Sequence, residues 1–211
     1  YGLTGDELTP GDYSGDGTTG IGIFRPATSL WAMRGYTRIY FGGFADILLP
    51  GDYNGDGTVE AAIFRGSSGF WSIRGVTRAY FGAPGDQPMP RDFNGDGNPD
   101  IAVFRSANGL WSLRGISRIY FGNSSDTLVP ADYNGDGTSV PAVFRDSSSL
   151  WVIRNLSRWY FGLPSDQALG ADLTGDGTTN ALIFRASSGL WTLRGISRLY
   201  FGGGGDIPLI K

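Results

Sequence analysis

The chain repeats itself every 40 residues, and this period limits the possible folds more than any other feature. Gly51-Asp52-Tyr53-Asn54-Gly55-Asp56-Gly57 returns as Gly11 to Gly17, Arg91 to Gly97, Ala131 to Gly137 and Ala171 to Gly177, with no insertion or deletion between copies. A fixed period of roughly 20–50 residues marks solenoids and propellers, in which each copy is one unit that buries its apolar face only against a neighbour.

Within the second copy, Ile47 to Tyr53 reads as a first strand, Ala61 to Arg65 as a second, Phe70 to Arg74 as a third and Val76 to Phe81 as a fourth. The Asn-Gly-Asp-Gly, Ser-Ser-Gly, Arg-Gly and Gly-Ala-Pro-Gly clusters between them are turn signals. Four short strands per copy make one propeller blade. The expected fold is therefore all-β, a five-bladed β-propeller of five four-stranded repeats, forming a single domain over residues 1–211. The repeats are 11–50, 51–90, 91–130, 131–170 and 171–210, and residues 1–10 complete a blade. Apolar residues at neighbouring positions in the second to fourth strands predict sheets covered on both faces. Gly35, Gly75, Gly115 and Gly195 share a hairpin position with Asn155, the side chain that best tolerates positive φ.

The first-strand motif occurs six times and the others five, so Asp6 to Tyr13 and Asp206 to Ile210 compete for one place. The C-terminal copy stops before its Gly-Asp-Tyr, which predicts that the N-terminal copy fills the blade and that residues 206–211 are dispensable.

Composition narrows the function classes. A formal net charge of −3 provides no cationic field for a phosphate backbone, so nucleic acid is not an expected partner. No apolar run approaches the ~20 residues that span a bilayer, so membrane insertion is not expected either. The chain has no cysteine and no histidine, and so lacks thiolates, the usual acid–base side chain and the usual zinc ligand. Its carboxylate pairs recur in every copy, whereas catalysis needs one asymmetric constellation. An enzyme is not expected.

Phe81-Gly82-Ala83-Pro84, the Phe-Gly pairs at Phe41, Phe121, Phe161 and Phe201, and an Asp-x-Asn-Gly-Asp-Gly loop between the first two strands give the chain a family resemblance. It resembles the FG-GAP or VCBS-type repeats of integrin α-subunit propellers, some fungal lectins and many bacterial surface proteins. The resemblance covers essentially the whole chain. It implies an extracellular or cell-surface propeller with Ca²⁺ in its loops and a role between adhesion and sugar binding. Five blades depart from the family's usual six to eight.

The loop chemistry is also readable directly. Calcium takes about six to eight oxygen ligands, and a tight loop supplies them from alternate positions. In the third copy Asp92, Asn94 and Asp96 offer side-chain oxygens, Asn98 a carbonyl and Asp100 a ninth-position carboxylate. The second copy has Asp52, Asn54, Asp56, Thr58 and Glu60, with Glu60 as a longer ninth ligand. The fifth has Asp172, Thr174, Asp176 and Asn180, while Gly20 and Val140 deprive the first and fourth copies of that oxygen. Ca²⁺ is therefore expected in the third and second loops before the others. The competing reading is a plain turn in which the aspartates accept backbone N–H bonds. An EF-hand is disfavoured by the β-type flanks and the missing twelfth-position Glu.

Fifteen of the sixteen arginines occupy three repeat positions, those of Arg25, Arg34 and Arg38. A two-residue turn at Arg34-Gly35 would pair Met33 with Tyr36 and place Trp31 opposite Arg38. The same register joins Trp71 to Arg78, Trp111 to Arg118, Trp151 to Arg158 and Trp191 to Arg198. Two readings follow. One is a structural cation–π ladder, with arginines also paired to Asp46-type carboxylates. The other is a set of five equivalent sugar sites, with Trp as platform and Arg as donor.

The function expected from sequence is a non-catalytic, multivalent, monomeric binding module. Its partners would be glycans or cell-surface proteins, with carbohydrate as the leading ligand. The alternative is a structural or engineered repeat scaffold, or protein-interaction module, without a small-molecule ligand.

Overall fold

The computed structural model describes residues 2–203, 206 and 208. The tail called dispensable above therefore lies largely outside the described residues. The fold is a five-bladed β-propeller: five four-stranded antiparallel sheets, with no α-helix among the described residues. The first blade holds β1 (Glu7–Leu8), β2 (Gly22–Arg25), β3 (Leu30–Met33) and β4 (Thr37–Tyr40), and the second β5 (Ile47–Leu48), β6 (Ala62–Arg65), β7 (Phe70–Ile73) and β8 (Thr77–Tyr80). The third comprises β9 (Gln87–Pro88), β10 (Ala102–Arg105), β11 (Leu110–Leu113) and β12 (Ser117–Tyr120). The fourth comprises β13 (Asp126–Leu128), β14 (Ala142–Arg145), β15 (Leu150–Ile153) and β16 (Ser157–Tyr160), and the fifth β17 (Gln167–Ala171), β18 (Asn180–Arg185), β19 (Leu190–Leu193) and β20 (Ser197–Tyr200). In each blade the strands lie in sequence order.

The chain divides into two compact units, Tyr1–Pro90 with Gly97–Arg105 and Ser112–Ser117, and Arg91–Asp96 with Ser106–Trp111 and Arg118–Lys211. In the first unit β1 pairs with β2, Glu7 opposite Phe24, and Arg25 makes a bidentate ion pair with Asp6 at 2.9 Å.

The first strands are shorter than expected. β5 ends at Leu48, although Leu49 N–H still donates to the Ala62 carbonyl and Gly51 and Glu60 exchange two backbone bonds. Between them stands Pro50, matched by Pro10, Pro90 and Pro130. On a strand with one free edge a proline costs nothing where its missing N–H would point out of the sheet. Gly170 takes that place in the fifth blade, and there β17 runs unbroken to Ala171 and pairs it with Asn180.

Each blade has two chemically distinct faces, because side chains alternate along a strand. One cross-strand row is Phe24–Trp31–Ile39, repeated as Phe64–Trp71–Ala79, Phe144–Trp151–Trp159 and Phe184–Trp191–Leu199. In the first unit this face of the first blade packs on Ala61 and Ile63 of the second, with Tyr13 and Met33 in the same cluster. In the second unit Phe144, Trp151 and Ile153 meet Ala181 and Ile183 in the same way. Trp31, Trp71, Trp111 and Trp151 are fully buried, whereas Trp191 is half-buried. Each of the five indole N–H groups donates to the carbonyl ten residues on, Trp71 to Phe81 at 3.0 Å for example. The fourth strands are not covered on both faces as expected. β4 alternates half-buried and exposed because it is the blade's outer edge.

Candidate functional site

The hairpin between third and fourth strands decides where the repeat-wide side chains point. Met33 pairs with Thr37, not Tyr36, so the turn holds three residues, Arg34-Gly35-Tyr36, with Gly35 at φ +78°. Asn155 holds the same left-handed conformation at φ +60°. A shift of one residue moves every following side chain to the other face. Trp31 therefore lies opposite Ile39, Trp71 opposite Ala79, Trp151 opposite Trp159 and Trp191 opposite Leu199. Arg38, Arg78, Arg158 and Arg198 instead face Ala32, Ser72, Val152 and Thr192. The expected stacking of these arginines on the tryptophans is overturned, and with it the tryptophan sugar platform: Trp31, Trp71, Trp111 and Trp151 have no exposed face to offer. Arg118, like the other four, is exposed.

Guanidinium–aromatic contacts occur elsewhere. The Arg65 guanidinium lies 5.7 Å from the Phe70 ring centre, and that of Arg194 lies 4.4 Å from Trp159. Trp159 is the large exception to a row of aliphatic residues, and its buried Nε1 has no hydrogen-bond partner.

The second-strand arginines serve the blade itself. Arg25, Arg65, Arg105, Arg145 and Arg185 each clamp a carboxylate nineteen residues earlier, Asp6, Asp46, Asp86, Asp126 and Asp166, through Nε and Nη2 at 2.7–3.2 Å. The aspartate side chains are at most 5% exposed. Several also accept a backbone bond from the turn after Phe-Gly, as Asp86 does from Ala83 at 2.8 Å. Burial pushes the Asp86 carboxyl up, but Arg105 and the Ala83 N–H outweigh it and hold the group below the usual carboxylate range.

The other blade face carries the row Ile63–Ser72–Arg78 in the second blade and Ile183–Thr192–Arg198 in the fifth. A cleft lies over each. In the first unit a cavity of about 470 Å³ is bounded by Tyr40, Phe41 and Ser29 of the first blade and by Arg65, Phe70, Ser72 and Arg78 of the second. In the second unit a cavity of about 500 Å³ lies among Phe161, Thr192, Gly195, Ser197 and Arg198. These volumes fall within the ~300–1,000 Å³ of small-ligand sites. In the first and fourth blades Ala32 and Val152 replace the central hydroxyl, so the rows are not equivalent.

Sequence reasoning missed the fourth-strand tyrosines. Tyr40, Tyr80, Tyr120, Tyr160 and Tyr200 are 71–77% exposed, five large aromatic side chains at one repeat position, and Tyr40 lines the first cleft. The available signal was alternation. Tyr40 is two residues from Arg38 and must share its exposed face.

The Asp-rich loops are tightly self-bonded. Asp12, Asp52, Asp132 and Asp172 each accept from two glycine N–H groups, one per oxygen, as Asp52 does from Gly55 at 2.7 Å and Gly57 at 2.9 Å. The next residue anchors the loop inward: Tyr13 Oη donates to the Thr9 carbonyl at 2.8 Å, and burial pushes its phenol up to about 12.

In the second loop Asp52, Asp56 and Glu60 bring carboxylate oxygens within 4.8 Å of one another. Glu60 reaches back to accept from Tyr53 N–H at 2.8 Å and Asn54 Nδ2 at 3.1 Å. Asn54 Oδ1 accepts from Asp56 N–H, while Thr58 donates its N–H and hydroxyl to Asp56. Burial raises the Glu60 carboxyl, and the charges of Asp56 and Asp52 add to that rise. Three converging carboxylates are a donor set that could hold a hard divalent ion. The third loop is divided between the units: Asp92, Asn94 and Asp96 belong to one, Asn98 and Asp100 to the other. Asp92 Oδ1 accepts from Gly95 at 2.6 Å, and Asp96 N–H donates to Asn94 Oδ1 at 2.8 Å.

No protein-family model and no curated protein matches the chain. A solved structure is similar, that of an Agrocybe aegerita lectin recognising non-reducing terminal N-acetylglucosamine, with a TM-score of 0.58 at 15% identity. The match covers 96% of this chain, which spans 65% of the lectin's length. At that identity the likeness is one of fold.

Proposed function

We propose that the chain is a non-catalytic carbohydrate-binding propeller whose ligands lie in the clefts beside the third and fourth strands rather than on the tryptophans. The observation that carries this reading is the exposed tyrosine of each blade, which at Tyr40 borders a cavity furnished with Ser72, Arg65 and Arg78. An aromatic face beside hydroxyl and guanidinium donors matches a pyranose, which has an apolar C–H face and a rim of hydroxyls. The lectin neighbour is consistent with it. The second and fifth blades, with Ser72 and Thr192, provide the leading sites. Repeated weak sites raise apparent affinity on a multivalent surface through effective concentration.

Ca²⁺ belongs to this reading as a loop stabiliser held by Asp52, Asp56 and Glu60, whose converging carboxylates fit a hard cation. The FG-GAP or VCBS-type repeat resemblance and an extracellular or cell-surface setting are part of the same proposal. A repeat scaffold without a small ligand is the second reading, favoured by the burial of the repeat-wide tryptophans.

A glycan array followed by titration of the hits tests the proposal. Tyr40→Ala should remove binding at the first cleft without lowering the melting temperature, since the side chain is exposed. An array without hits, or hits untouched by loss of all five tyrosines, leaves the scaffold reading.

A further inference from the structure

Both clefts are cationic. Neither has an acidic residue in its lining, and each presents a fourth-strand arginine, Arg78 or Arg198, next to a hydroxyl, Ser72 or Thr192. The aspartate clamps described above all use second-strand arginines, and Arg78 and Arg198 have no carboxylate partner among the described residues. Arg65, which also borders the first cleft, spends its two inward N–H groups on Asp46, whose side chain is 2% exposed, and keeps an outer edge in solvent. The same pattern appears in both units, at Arg78 in the first and Arg198 in the second.

A neutral sugar would use such a guanidinium only as a hydroxyl donor, for which a Ser or Asn serves as well. A guanidinium is distinguished by two parallel N–H groups on a permanent positive charge, which match the paired oxygens of a carboxylate or sulfate. We infer that the clefts over Ser72–Arg78 and Thr192–Arg198 select acidic saccharides: the unpaired arginine would hold a sugar's carboxylate or sulfate, and the adjacent aromatic and hydroxyl groups its ring. This inference rests on the carbohydrate reading above and narrows it to a substrate class.

The test compares matched pairs by calorimetry on the whole chain: lactose against sialyllactose, and N-acetylglucosamine against its sulfate ester, with inorganic sulfate as the bare anion. Each acidic sugar should bind at least about ten-fold more tightly than its neutral parent, as hydrogen bonds to a charged group allow. The advantage should shrink in high salt, where exposed charges are screened. Replacing the five fourth-strand arginines together (R38Q, R78Q, R118Q, R158Q, R198Q) should erase the advantage and leave the melting temperature in place. A gain confined to sialyllactose identifies a carboxylate ligand, and one confined to the sulfate ester a sulfate ligand. Equal binding of parent and acid overturns the inference while the carbohydrate reading stands. Inorganic sulfate binding as tightly as the sulfated sugar overturns it in favour of a simple anion site. No binding of any saccharide overturns both.

Discussion

Replacing Trp71 by alanine separates packing from ligand binding most cleanly. The indole is fully buried in a cluster with Tyr53, Ala62, Phe64, Ile73, Ile101 and Val103. Truncating a buried Trp to Ala costs about 3–5 kcal/mol through lost burial and the cavity left behind. The Phe81 carbonyl also loses its 3.0 Å donor, which adds about 1 kcal/mol if no water replaces it. At roughly 2–4 °C per kcal/mol for a chain of this size, the melting temperature should fall by about 6–24 °C. Trp191→Ala, starting from a half-buried ring, should lose about half as much. Trp71→Phe should keep most of the packing and lose chiefly the hydrogen bond. Scanning calorimetry with a parallel glycan titration checks this. If Trp71→Ala melts within a degree or two of the parent but loses a binding site, the register that buries the indole is wrong.

Arg65→Ala should cost about 1–3 kcal/mol in urea denaturation because it strands the buried Asp46 carboxylate, whereas exposed, unpaired Arg38→Ala should stay within about 0.5 kcal/mol. Asp86, held below the usual carboxylate range, contributes stability that is complete above the unfolded value of about 3.9 and is lost as the pH falls through the lower folded value. Asp86→Asn should therefore lower stability at neutral pH and flatten the acid limb of a pH–melting curve; an unchanged acid limb would refute the assignment. For the second loop, millimolar Ca²⁺ should raise the melting temperature relative to chelator. Glu60→Gln should remove that gain, because it deletes one of the three converging carboxylates. Identical melting in Ca²⁺ and chelator would reduce the loop to a turn.

The fold was legible because the 40-residue period and the glycine and Asn-Gly clusters mark every unit and turn without relying on weak strand propensities. The candidate site was not legible because it hangs on a single count. Arg34-Gly35 suits a two-residue turn and a three-residue turn equally well in sequence, yet the choice decides whether Arg38 or Ile39 meets Trp31. The inner-strand prolines were visible from the start. Their meaning depended on which edge of the strand is free, and this follows from pairing rather than from residue type. Convergence of Asp52, Asp56 and Glu60 likewise needed the reach of one extra methylene in three dimensions.

The contacts that fasten one blade are short in sequence. The aspartate–arginine clamp spans nineteen residues and the indole N–H bond ten. Links to the next repeat connect equivalent loops: Val59 N–H donates to the Asp12 carbonyl, Ser139 to Asp92 and Thr179 to Asp132, each at 2.7 Å. Pro99 alone lacks the N–H to make the corresponding link to Asp52. None of these bonds refers to a position further away than the adjoining copy. Inserting or excising one 40-residue segment in frame would leave each clamp, each indole bond and each loop link with an equivalent partner, save where the Pro99 copy supplies no donor. Blade number is therefore not encoded in any of these contacts, each of which reads no further than the adjoining copy.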